Sequence, residues 1–126
     1  MFIDINENDI DLGKVENDTF VAFYTGFIET EGYGGKKYFK QYPQLSNRLI
    51  DLLLETKISI IGIDFAGVRR GAEHTPKDQY CADRGVFIIE NLCNLNTIFS
   101  GKTDMDFIAN TYPVNYVEMT GLRSEE

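Results

Sequence analysis

The sequence predicts an α/β domain, a mixed sheet with parallel strands joined by two βαβ crossovers and covered by helices. Three observations carry that expectation. Ile58-Ser59-Ile60-Ile61-Gly62-Ile63 is an almost unbroken β-branched run, the pattern of a strand buried on both faces of a parallel sheet. Val86-Phe87-Ile88-Ile89 is a second run of the same kind. Between and before these runs lie segments with helix start signals and helical spacing, so strands and helices alternate.

In order, the chain opens with Ile3, Ile5, Ile10, Leu12 and Val15 scattered among Asp, Asn and Glu. This reads as a short strand at Phe2 to Ile5 followed by a loop or helical turn. Thr19 to Thr25 is a strand by its β-branched and aromatic content, and Gly26 stops it. Phe27 to Pro43 reads as a long loop of glycines, aromatics and lysines, and loops of that length are commonly lids or interface segments. The plainer reading folds its aromatics onto the core. Ser46 caps a helix over Asn47 to Glu55, on which Leu45, Leu49, Leu52 and Leu53 share a face. Strand, helix and the run at 58–63 make the first right-handed βαβ unit. Thr75 as cap and Pro76 as first helical residue start a helix through Arg84, which Gly85 closes. The strand at 86–89 then completes the second crossover. Leu92 to Phe99 reads as a short helix or turn, Val114 to Met119 as a strand, and the polar end from Gly121 onward as frayed.

Composition sets outer limits. With 126 residues the chain has room for one domain, residues 1–126. A net charge of −8 and a pI near 4.6 argue against nucleic-acid and anionic-membrane partners. No apolar stretch approaches the roughly 20 residues that span a bilayer, and the Asp- and Asn-rich start lacks the pattern of a signal peptide. A cytoplasmic location is expected. Cys81 and Cys93 form no CxxC unit, so reduced, buried and inert thiols are expected.

The candidate chemistry gathers between the two buried runs. In open α/β sheets ligands bind beyond the carboxyl ends of strands. The first run ends at Asp64, followed by Arg69, Arg70, Glu73 and His74, and the second ends at Glu90. Two neighbouring strands that each finish on an acid are expected to serve one pocket. Arg69 and Arg70, with Asp64, are candidates to hold substrate, although a solvated arginine pair is the plainer reading.

Several segments together resemble the cyclase family of metal-dependent hydrolases, which includes bacterial kynurenine formamidase. They are Gly62-Ile63-Asp64, the His-containing loop, and Gly85-Val86-Phe87-Ile88-Ile89-Glu90-Asn91-Leu92-Cys93-Asn94-Leu95. Phe23-Tyr24-Thr25-Gly26, Tyr42-Pro43-Gln44-Leu45-Ser46, Tyr112-Pro113 and Met119-Thr120-Gly121-Leu122 agree with it. The resemblance runs from about Thr19 onward. It implies a swivelling β/β/α-type domain, here partial, and a divalent-metal site, zinc or manganese, that hydrolyses amides, formamides or lactones in an arylformamidase-like way.

The chain also departs from the family pattern. The family's His-x-Gly-Thr-His-x-Asp-x-Pro-x-His motif is absent, and His74 is the sole histidine. The family places a metal-binding histidine about twelve positions before the Glu of Glu-Asn-Leu, where this chain has Asp78. His74 lies one helical turn earlier, so either residue can take that role. The resemblance thus implies Asp78, Glu90 and His74 as metal ligands, with His74 also the one catalytic candidate. Asp in place of His favours harder ions such as manganese or magnesium. The plainer readings are a strand-end cap for Glu90, a first-turn helix acid for Asp78, and an ordinary loop histidine for His74. A fragment, a split-gene product or a degenerate member all fit, the last as an inactive binding domain. A companion chain or a homo-oligomer is expected to cover the exposed strand edges and complete the site around a small amide or lactone.

Overall fold

The structure is a computed structural model that describes residues 4–113, 117 and 124–125. Its centre is the run that the sequence marks most strongly. Strand β4 (Ile60–Ile63) lies between β2 (Phe20–Phe23) and β5 (Phe87–Ile89), parallel to both. Ile61 pairs with Val21 on one side and Ile88 on the other. The strand is covered on both faces, as its composition requires. Ile61 and Ile63 enter the main core with Leu49, Ile50, Leu53, Phe65 and Val86. On the opposite face Phe20 and Ile89 pack with Leu92, Leu95 and Phe99. Gly62 sits where a Cβ would stand 2.6 Å from the Phe20 ring and 2.8 Å from Leu92, so glycine lets that second layer close on the sheet.

Both crossovers are present. The first carries α3 (Asn47–Glu55), whose start is fixed by Ser46: its side chain accepts from the Leu49 N–H at 3.1 Å. Leu49, Ile50 and Leu53 are the buried residues of this helix, while Leu52 is half-buried. The second carries α4 (His74–Ala82). This helix begins two residues earlier than the Thr75-Pro76 signature predicts, and no side chain caps it. Proline is tolerated there because the first turn leaves its N–H groups without intrahelical partners. Asp78 is consequently in the second turn rather than the first. At the other end Gly85 adopts a left-handed φ of 77°, and Gly85 N–H and Val86 N–H donate to the Ala82 and Cys81 carbonyls. That paired closure turns the chain from α4 directly into β5.

The stretch from Phe27 to Pro43 is more ordered than a loop. It contains α1 (Phe27–Glu31) and α2 (Lys36–Lys40). Tyr38 and Tyr42 are buried in the core, as the plainer reading held. A short parallel pair, β1 (Asp4–Ile5) with β3 (Gln44–Leu45), ties the N-terminal region to the start of α3. After β5 the chain forms α5 (Leu95–Phe99), and β6 (Tyr112–Pro113) pairs antiparallel with β7 (Ser124–Glu125). The strand expected at Val114 to Met119, apart from Val117, and Phe2 and Ile3 of the first strand lie outside the described residues, and of the end expected to fray only Ser124 and Glu125 are described, as β7. Among the described residues no helix is long and apolar enough to cross a membrane.

Candidate metal centre

Helix α4 and the end of β5 bring three donors together. His74 and Asp78 are four residues apart on α4 and therefore share a face. Glu90 directly follows β5. One ligand atom from each of His74, Asp78 and Glu90 lies within 4.8 Å of the other two. His74 Nε2 is 2.9 Å from Glu90 Oε1, 3.2 Å from the Ala66 carbonyl and 3.7 Å from Asp78 Oδ2. With acceptors on three sides, the arrangement favours the tautomer with its proton on Nε2, directed at Glu90, while Asp78 at 3.7 Å interacts through charge alone.

The donor set has an unmet demand. Asp78 Oδ1 is buried and has no hydrogen-bond partner among the described residues. Buried carboxylate oxygens are ordinarily satisfied. A cation would meet that need, and the three side chains that would hold it each bring a ligand atom within 4.8 Å of the other two. One imidazole and two carboxylates form a mixed nitrogen and oxygen set suited to zinc or manganese. The residues present therefore fit a divalent ion.

Electrostatics point the same way. Burial raises the Glu90 carboxyl above its usual range, opposed by the His74 hydrogen bond. Burial likewise raises Asp78, with His74 opposing. For His74, burial pulls the imidazole down, but Asp78, Glu90 and the Ala66 carbonyl outweigh it, and the net shift is upward.

A tight wall backs the imidazole. A Cβ on Gly67 would collide with the His74 ring and stand 3.1 Å from the Tyr42 hydroxyl. Tyr42 donates to the Arg69 carbonyl at 2.7 Å, and burial pushes its own hydroxyl up to about 12. A cleft of about 250 Å³, lined by Phe39, Tyr42, Ala66, Gly71 and His74, opens beside the cluster. Gly67, Tyr42 and Ala66 were not legible as site residues. Gly67 looks like any loop glycine, and the one signal for Tyr42 was its place in the Tyr42-Pro43 turn.

Asp64 has other partners. Its carboxylate accepts from Thr25 N–H at 3.0 Å, Thr25 Oγ1 at 2.6 Å and Gly26 N–H at 2.7 Å. It fastens the end of β2 to the end of β4 and does not join the donor cluster. Arg69 is buried, donating to Glu73 at 2.8 Å and to the Leu45 carbonyl at 2.9 Å. Arg70 donates to the Tyr42 carbonyl at 2.7 Å and lies 3.7 Å from Asp4. These two arginines brace the segment before His74 against β1 and β3.

The fold is similar to that of a solved potential metal-dependent hydrolase with cyclase activity, with a TM-score of 0.73, 19% sequence identity and 98% of this chain covered. The two share an α/β fold. This chain spans 57% of the length of that structure. No protein-family model and no curated protein matches the sequence.

Proposed function

We propose that the chain is a metal-dependent hydrolase of the cyclase type, acting on an amide, formamide or lactone, with His74, Asp78 and Glu90 as ligands of a divalent ion. The observation that carries this reading is the buried, unpartnered Asp78 Oδ1 beside a histidine and a second acid. The fold shared with a potential metal-dependent hydrolase supports it. A divalent ion held there supplies Lewis acidity, polarising a carbonyl oxygen and bringing water to nucleophilic strength near neutral pH. The chain's own groups do the rest. Phe39 and Tyr42 wall the cleft, while the Ala66 carbonyl and Gly67 hold the imidazole in place. In the metal-free chain burial raises both the Glu90 and the Asp78 carboxyl, and a bound cation would relieve that cost by taking the place of a proton. Substrate contact by Arg70, the most solvent-accessible of the three candidate groups, would require it to exchange its bond to the Tyr42 carbonyl.

Three donors from one chain leave room for further ligands. The reading therefore includes a companion chain or a second copy, whose docking would also cover exposed Phe87 and Ile108. A second reading, a binding domain that keeps the scaffold without turnover, is favoured by one observation: the chain holds a single histidine. Turnover of an N-formyl arylamine, a simple amide and a lactone, measured with manganese and with zinc, separates the two. Metal-dependent hydrolysis that disappears in Glu90→Ala supports the hydrolase. Tight metal binding with no turnover of any of the three selects the binding domain.

A further inference from the structure

The donor on β5 depends on a residue far from it in sequence. Glu90 directly follows β5 and Asn91 comes next with a left-handed φ of 61°, a conformation that asparagine tolerates better than most side chains but that still needs support. That support comes from three bonds. Asn91 N–H donates to the Phe65 carbonyl at 3.1 Å, and Leu92 N–H to the Ile63 carbonyl at 2.9 Å. The third joins side chains: the Tyr38 hydroxyl donates to Asn91 Oδ1 at 2.7 Å. Tyr38 is 1% exposed, and its ring stacks on Phe27 with centroids 5.5 Å apart. The hydroxyl is thus held by an anchored ring at the one turn that sets where Glu90 points.

Resting on the metal-centre reading above, we infer that Tyr38 is a positioning residue for that centre, acting through Asn91 to aim the Glu90 carboxylate at His74. The bond does more than add stability. The turn after Glu90 needs a sharp reversal, and the tip of β4 receives it at Ile63 and Phe65. The adjacent Ala66 carbonyl contacts His74 Nε2. Ala66 therefore meets the imidazole from one side while the Tyr38-supported turn brings Glu90 to it from another. Outer partners of this kind typically govern metal affinity by about ten- to a hundred-fold.

Tyr38→Phe removes the hydroxyl and keeps the ring. Asn91→Gly removes the acceptor and suits the left-handed φ. His74 is the only histidine, so its imidazole nitrogen resonances report one site without ambiguity. In metal-free protein both single variants should shift those resonances in the same direction, and the double variant should shift them no further. A purely stabilising role would lower the melting temperature and leave the imidazole signals where they are. With manganese, each variant should bind about ten-fold or more weakly than the parent chain. Imidazole signals identical to the parent in Tyr38→Phe overturn the inference, as does a shift in Asn91→Gly that Tyr38→Phe does not share. If the parent chain takes up neither manganese nor zinc, the metal reading fails separately, and the metal-free resonances still decide whether Tyr38 aims Glu90.

Discussion

Two neighbouring strands end in an acid, and the molecule treats the two acids in opposite ways. Asp64, after β4, is 1% exposed and has its carboxylate filled by three donors from Thr25 and Gly26. Glu90, after β5, is half-buried and shares one proton with His74, beside an Asp78 oxygen that has no partner among the described residues. The residue class and the strand position are the same, so neither distinguishes a fastening from a site. Saturation does: an acid whose lone pairs are filled holds the fold, and a cluster with a lone pair to spare is ready for a ligand.

The sharpest way to break this contrast is to exchange the losses. Asp64→Ala strands two backbone N–H groups and a hydroxyl, and should cost about 3 kcal/mol in urea unfolding while leaving manganese affinity unchanged in the folded fraction. Glu90→Gln should do the reverse, with manganese affinity falling by about a hundred-fold and the urea midpoint scarcely moving. If both variants lose stability alone, the contrast fails. Gly67→Ala comes next. Its added methyl meets the His74 ring, so about 2 kcal/mol of overpacking is expected, together with a weakened metal site, measured by melting and by calorimetric titration.

A pH series sharpens the comparison further. Asp64, Asp78 and Glu90 are all raised, mainly by burial, and His74 is raised against its burial by its acidic neighbours. A group with a raised folded pKa binds its proton more tightly when folded, so its contribution is present below the unfolded pKa and is lost as pH rises through the folded one. In chelator, stability should therefore fall from the ordinary carboxylate range to beyond the 6.5 of free histidine. Manganese should reverse the slope at the upper end, because the ion competes with the shared proton. The Asp64 part should persist unchanged in manganese. The smallest effect belongs to a position serving neither acid: Ser46→Ala removes the cap of α3 and should cost about 1 kcal/mol, with no change in metal affinity.

The framework was legible where local signals were redundant. Ser46 and the leucines placed α3 at its observed bounds, and the β-branched runs placed β4 and β5, because cap, spacing and burial agreed. Helix α4 was misjudged at its start because Thr75-Pro76 is a good local signal that the proline, lacking an N–H, does not enforce. The helices between Phe27 and Lys40 were missed because five residues are too few to show a period. For the centre, the family resemblance offered His74 or Asp78 for one ligand position, and that both lie on one face follows from α4 starting at His74; strand-end logic marked Glu90. The same logic also marked Asp64, and no sequence rule says which acid Thr25 will satisfy. Tyr38 and Gly67 act through contacts made only in three dimensions, which leave no local pattern to read.

One consequence lies in the tight turn that Gly85 makes between α4 and β5. It brings all three donors into a span of seventeen residues, from His74 to Glu90, whereas the Asp64 fastening joins residues 39 apart. Closing a short span costs little chain entropy, and contacts of low sequence separation form early. The three donors thus sit on one short α–β hairpin that can form before the long-range latch closes, while Tyr38, Ala66 and Gly67 join it only as the rest of the chain packs.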